Sequence, residues 1–378
     1  MIANFKKYYP RIYLMFAAAF LILGMLGSRE LWTHEHRWAA IVNVMLDQQD
    51  FFHPVLNGKT YYDKPLLSYW LMALAAQFFN GLNEWSLRLP SALAGILTVW
   101  LTYLLGKKIK DHALGLLSAW MLLCTYYFVY WAKVGSADML NVAGTLAAIT
   151  YYMYHKNSYQ FGRYSVFFLI VALTALCKGL VGPVVVALAV LADSLFDKNI
   201  IKHVNKKMCL GFFIGLMCYF LPFLGSWLLG SDQSGLFKVY KENFVRYFQP
   251  FDHQTPFYIY FLYLPIYMAP WSIFLLPSFW KIKVQWLCFS SLEKWLSITS
   301  VVIFVFFSAS GSRRPYYILP LIPFATIFVA NWILMHTRAR ILAQYILKLS
   351  WFFLVFIFLI LLPLFYKLGG WLVLQKIF

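Results

Sequence analysis

Acidic residues are scarce in this 378-residue chain, fourteen Asp and Glu against thirty-two Lys and Arg. Nine of the fourteen fall in two stretches, 28–88 and 230–256, which concentrates the chain's carboxylate chemistry there. The first stretch carries His34-Glu35-His36-Arg37 and the tripeptide Asp63-Lys64-Pro65; the second carries Glu242, Arg246 and His253. Three further polar points interrupt apolar sequence: Ser136-Ala137-Asp138, Cys177-Lys178-Gly179, and Arg313-Arg314 ahead of Pro315-Tyr316-Tyr317. Carboxylates among fixed cations suit two tasks. A carboxylate takes the proton of an attacking hydroxyl, and a cation stabilises negative charge developing on a departing oxygen. The cations at hand for such a task are Lys64, Arg246, Arg313 and Arg314.

The elements that must position these residues are membrane spans. The composition is 62% hydrophobic and only 12% charged, about half the charge of a soluble domain. Apolar runs of about 18 residues, enough to cross a bilayer, recur from end to end. Polar breaks and Pro/Gly punctuation divide the chain into about eleven spans near 12–28, 89–106, 112–131, 139–155, 164–177, 180–196, 208–229, 257–279, 296–309, 316–336 and 341–365. Threading them alternately leaves seventeen cations and four acids on one side, and fourteen cations and ten acids on the other, with Lys348 inside a span. The positive-inside rule makes the first side cytoplasmic. The net charge of +18 is therefore a topology signal rather than a nucleic-acid footprint. The five cysteines form no CxxC pair, which argues against a disulfide framework or a thiolate metal site.

Both acid-bearing stretches are long outer loops. In the first, Trp38, Ile41, Val42 and Met45 recur at helical spacing, with Asn43 and Asp47 opposite. A second helical stretch starts at Asp63-Lys64-Pro65 and continues apolar from Leu66 to Phe79, with Asp63 in capping position and Pro65 just inside the helix start. Both read as amphipathic helices on the outer membrane surface.

The order of these motifs, together with Asn83-Glu84-Trp85-Ser86-Leu87-Arg88-Leu89-Pro90 and the run from Ser308 to Pro320, resembles the GT-C membrane glycosyltransferases. It is similar in particular to the lipid A aminoarabinose transferases and, more distantly, to the protein O-mannosyltransferases. The resemblance implies an all-α polytopic fold and transfer of a sugar from a polyprenyl-phosphate donor to a lipid A-like or other cell-envelope acceptor. It further implies a bacterial inner membrane and an active site facing the periplasm. Glu35, Asp63 and Asp138 are then the catalytic candidates, and Lys64, Arg246, Arg313, Arg314 and Tyr317 the donor-phosphate contacts. His34, Arg37, Lys178 and Glu242 complete the site. A divalent metal ion stays open as a cofactor, with Asp63 and His253 its candidate ligands. The family's leading Asp in the first motif is His34 here, and a family histidine of the second loop is Asn243. The expectation is one membrane domain over 1–378 with no soluble domain after it.

Structural alternatives stand beside these roles: a helix cap for Asp63, a solvated pair for Glu35 and Arg37, a helix-start acid for Asp138, and snorkelling to the outer interface for Lys178. Two rival functions use the same features. A lipid-linked sugar flippase would carry ionisable residues at mid-membrane and repeated halves, and a catalytically silent protein of this fold would retain the motifs without the base.

Overall fold

The computed structural model describes residues 2–197, 200–230, 235–248 and 255–367. It is a helical, multi-pass architecture with one minimal hairpin. Helix α1 (Ile2–Leu23) leads to the first long loop, which holds α2 (Thr33–Gln48), strands β1 (Val55–Leu56) and β2 (Lys59–Thr60), and α3 (Leu67–Phe78). The long α4 (Glu84–Ile109) follows, then α5 (His112–Leu123), α6 (Tyr126–Ala132), α7 (Ala137–His155), α8 (Phe161–Lys178), α9 (Val181–Ser194) and α10 (Lys206–Leu228). The second acid-bearing stretch contains α11 (Leu236–Tyr240), a π-turn at Lys241–Val245 and α12 (Arg246–Phe248). The chain returns through α13 (Ile259–Tyr267), α14 (Leu275–Gln285), α15 (Ser291–Ala309), a 3-10 segment at Pro315–Leu321, α16 (Ile322–Met335) and α17 (Thr337–Lys367).

Among the described residues five helices are long and apolar enough to span a bilayer: α4, α8, α10, α15 and the continuous run Pro315–Met335. Two expected spans are broken instead, α5 with α6 at 70° and Ile259–Tyr267 with Trp271–Trp280 at 117°. Shorter apolar helices occupy Pro10–Leu23, Leu67–Phe78 and Val181–Ser194. Hydropathy alone reads a bent pair as one span, because a kink leaves the apolar run unbroken in sequence.

The main core gathers α1, α4, α5, α7, α9, α15 and α16. Helix α16 sits at its centre, buried from Ile322 to Asn331, as expected for a helix apolar on all sides. Gly106 and Gly115 let α4 and α5 touch. A Cβ on Gly115 would stand 2.5 Å from the Tyr103 carbonyl oxygen. Two indoles of the core donate to backbone carbonyls, Trp271 to that of Met121 and Trp295 to that of Ala189, both at 2.8 Å.

A second core holds the first long loop together. Trp38, Ile41, Val42 and Met45 of α2 bury themselves against Tyr69, Met72 and Ala73 of α3, with Tyr62, Leu66 and Leu87 beside them. The periodicity expected for α2 is the periodicity found. One element is new and one local expectation changes. The hairpin turns at Asn57-Gly58, both at positive φ (51° and 73°), the Asn-Gly signal of a tight two-residue turn. Helix α3 begins at Leu67 with Leu66 in the capping position and no side-chain cap, so Asp63 caps nothing and its carboxylate points elsewhere.

Candidate active site

Helix α2 sorts its polar residues by face. His34 and Arg37, three apart, share a side, whereas Glu35 and Arg37, two apart, do not face each other. His34, Arg37 and Trp38 line a polar cavity closed by Tyr61, Asp63 and Lys64 of the same loop. Its other walls are Asp138 at the start of α7, Lys178 at the end of α8, Glu242 in the π-turn, and Arg314, Tyr316 and Tyr317 ahead of α16. The space is about 760 Å³, its open mouth included. Lys64, Lys178, Glu242 and Tyr317 are shared with an adjoining recess of about 640 Å³ whose further walls are largely apolar, among them Val181, Tyr247, Phe306 and Phe307.

Two carboxylate–cation groups organise the polar cavity. Asp63 meets Lys64 Nζ at 2.9 Å and Arg37 Nη1 at 3.2 Å, and Arg37 also donates to the Tyr61 hydroxyl at 3.1 Å. Burial alone would raise the Asp63 carboxyl. The neighbouring Lys64 and Arg37 charges, and hydrogen bonds from Lys64 and Glu242, hold it at about 2 instead. Asp138 meets Lys178 Nζ at 2.5 Å and accepts from Ser136 Oγ at 2.9 Å. Lys178 is therefore not a snorkelling residue. Its ammonium is turned inward onto Asp138, with the Tyr317 ring 4.9 Å from Nζ. Arg314 donates to the Tyr316 hydroxyl at 2.6 Å, and Tyr260 fixes its backbone by donating to the Arg314 carbonyl at 3.0 Å.

Glu35 stands apart. It is completely buried, outside the cavity wall, and accepts from Arg88 Nε at 2.7 Å, Arg88 Nη2 at 2.8 Å, Arg29 Nη2 at 3.1 Å and the Gly135 amide at 2.9 Å. Arg88 spends its remaining donors on the carbonyls of Leu26, Arg29 and Glu30, so all five guanidinium N–H groups are satisfied. Burial opposes ionisation of Glu35, but the Arg88 and Gly135 hydrogen bonds outweigh it and hold the carboxyl below its ordinary value. Glu35 is thus neither a solvated partner of Arg37 nor in reach of a cavity ligand. Arg88 was quoted in the sequence without a role; its signal is an arginine in the first turn of an otherwise apolar helix.

Arg313, unlike Arg314, is not among the cavity walls and ties its own loop to the segment before α13, donating to the carbonyls of Ser308 at 2.9 Å and of Thr255. His253 and the side chain of Arg246 lie outside the described residues. Among the described residues no group of three or more His, Cys, Asp or Glu side chains is placed to hold a metal ion. Asp63 is already committed to two cations, so these residues do not fit a metal and none enters the chemistry below.

A family model described as dolichyl-phosphate-mannose-protein mannosyltransferase matches residues 63–226, starting at Asp63 itself. An uncharacterized protein of Aquifex aeolicus is 28% identical over 82% of this chain and 60% of its own length. The undecaprenyl phosphate-alpha-4-amino-4-deoxy-L-arabinose arabinosyl transferase of Wigglesworthia glossinidia brevipalpis is 27% identical over 80% of this chain and 55% of its own. The chain therefore spans well under two thirds of the length of these relatives. Among solved structures, ArnT from Cupriavidus metallidurans bound to undecaprenyl phosphate superposes with a TM-score of 0.74, at 20% identity, over 85% of this chain and 59% of that one. In sequence and in fold, the chain resembles the GT-C glycosyltransferases of which the aminoarabinose transferases are examples.

Proposed function

We propose that the protein is an inner-membrane glycosyltransferase that moves a sugar from a polyprenyl-phosphate donor to a lipid or other envelope acceptor on the periplasmic face, its chain crossing the bilayer about eleven times. One observation carries this reading: a polar cavity and an aromatic recess meet at Lys64, Lys178 and Tyr317. A polyprenyl-phosphate sugar has the same order of parts, with a polar sugar, a phosphate, and an apolar chain. Seating the phosphate at the junction puts the sugar among Asp63, Asp138 and Arg314 and sends the first isoprene units past Phe306 and Phe307.

In this pose the departing phosphate collects its second negative charge beside fixed ammonium groups, which is where electrostatic stabilisation lowers a barrier most. Lys64 and Lys178 are held in place by Asp63 and Asp138, so the cations need not reorganise as charge develops. The two carboxylates act here as positioning residues, ionised and paired, and Arg314 contacts the sugar or the acceptor. Attack from the face opposite the phosphate inverts the anomeric centre. The names of the transferase relatives, and the undecaprenyl phosphate in the ArnT structure, support the donor class.

The reading is tested by a lipid profile of cells with the wild-type chain, D63N, K64A or no chain. The expected result is a species heavier by one sugar residue with wild type alone. Unchanged profiles for well-expressed D63N and K64A would overturn the site, and identical profiles with and without the chain would overturn the activity.

A further inference from the structure

The described walls of the polar cavity offer three carboxylates and one imidazole as proton acceptors, and the carboxylates are taken. Asp63 is bound by Arg37 and Lys64, Asp138 by Lys178 and Ser136, and Glu242 hydrogen-bonds with Asp63. His34 differs. It lines the same cavity, half-buried, with its ring set edge-on between Trp32 at 5.5 Å and Tyr316 at 5.7 Å. Those contacts fix the ring plane and leave both nitrogens without a hydrogen bond among the described residues. Its helix is anchored immediately beside it by the saturated Glu35–Arg88 pair, which supplies the rigidity a proton acceptor needs.

We infer that His34 is the general base of the transfer and that the acceptor accordingly presents a neutral hydroxyl, not a phosphate. The inference rests on the transfer reading above. A phosphate acceptor is already anionic and a sufficient nucleophile, whereas a hydroxyl attacks well only as its proton leaves. In the step the hydroxyl oxygen forms its bond to the anomeric carbon as its proton passes to a ring nitrogen of His34. The bond from the anomeric carbon to the phosphate oxygen breaks, and its electron pair leaves with the polyprenyl phosphate. The imidazolium then returns its proton to water.

The charges facing the ring agree with this role. Arg37 and Glu35 come from its own helix, Asp138 from α7, and Arg314 with Tyr316 from the segment before α16. Burial, and next the Arg314 guanidinium, push the imidazole below its ordinary value, with Asp138 the largest opposing influence. His34 is therefore neutral, with a lone pair to offer, at and somewhat below neutral pH.

The test uses membranes from cells lacking the gene, which supply donor and acceptor, with added full-length wild type, H34Q or H34D, assayed from about pH 5.5 to 8.5, the range in which a histidine switches. Undecaprenyl phosphate binding, followed by tryptophan fluorescence, reports whether each variant keeps its site. The expected result is a wild-type kcat that declines on the acid side, and an H34Q kcat lower by about 100-fold or more with undecaprenyl phosphate binding unchanged and the acid limb gone. H34D should regain part of the rate, with its limb displaced to lower pH. The wild-type product should resist the mild acid that cleaves a glycosyl phosphate. Wild-type rate and pH profile in H34Q, or an acid-labile glycosyl phosphate product, would overturn this inference alone. No product from wild type at any pH would overturn the transfer reading and this inference together.

Discussion

Two carboxylate–cation clusters grow from the same turn of α2 and have opposite characters. The Glu35–Arg88 pair is sealed, with side chains 0% and 1% exposed and every guanidinium donor used. The Asp63–Lys64–Arg37 group is 14%, 17% and 33% exposed and opens on the cavity. The sealed pair joins four parts of the chain, the end of α1, the start of α2, α4, and the Gly135 turn before α7, so its energy goes into holding the walls. The open group has net positive charge and room for a ligand beside it. Identical residue types thus do structural work when their hydrogen-bonding capacity is exhausted by the protein, and chemical work when part of it is left to a guest.

The difference is broken most directly at Arg88. Arg88→Ala leaves Glu35 charged and buried without its main partner, a loss of about 3–5 kcal/mol for such pairs. We expect poor yield and a markedly lower unfolding midpoint in detergent, with Glu35→Ala close behind. A wild-type midpoint for either would show the sealed pair to be dispensable. Lys64→Ala should weigh the other way, lowering the midpoint far less than Arg88→Ala because Arg37 still pairs Asp63, while transfer falls by about 100-fold or more, the scale of removing one charge-stabilising donor. Loss of stability and activity in step would erase the distinction between the clusters.

A middle-sized effect tests whether the walls are set by packing elsewhere. Gly115→Ala puts a Cβ against the Tyr103 carbonyl, and overpacking of this kind costs about 1–3 kcal/mol. The expected outcome is a lower midpoint with transfer, measured below that midpoint, near wild type. Arg313→Ala against Arg314→Ala sharpens the same contrast within one dipeptide. Arg314 faces the cavity and Arg313 the loop, so only the Arg314 variant should raise the donor KM sharply.

How much of this was legible in the sequence follows from the range of the forces involved. The α2 stripe and the membrane character were readable because they depend on neighbours within a turn or on summed apolarity, whereas α4 starts at Glu84, five residues before its expected start, behind an Asn83 cap that accepts from the Ser86 amide at 2.9 Å. The presence of Lys64, Asp138, Lys178, Arg314 and Tyr317 in one cavity came from the order of motifs and not from periodicity. What stayed hidden was pairing across the chain. Nothing local tells Glu35 that Arg88, 53 residues on, will take its oxygens, although the two-residue offset from Arg37 already ruled out a side-by-side pair on a helix. Adjacent arginines 313 and 314 look equivalent in sequence and diverge only through the 3-10 turn that follows them.

The smallest predicted effect concerns pH. Because the folded-state pKa of Asp63 is depressed to about 2, below the value of about 3.9 in an unfolded chain, its pairing stabilises the protein fully above the unfolded value. That stabilisation is lost as pH falls through the window from about 4 to about 2. The midpoint difference between wild type and D63N should accordingly be flat from about pH 8 to pH 5 and shrink only below about pH 4. Any acid limb in turnover across that interval then belongs to a group other than Asp63. A midpoint difference that already collapses near pH 6 would mean that the open cluster is not the tight ion pair its distances describe, and that its carboxylate is free to act as a base after all.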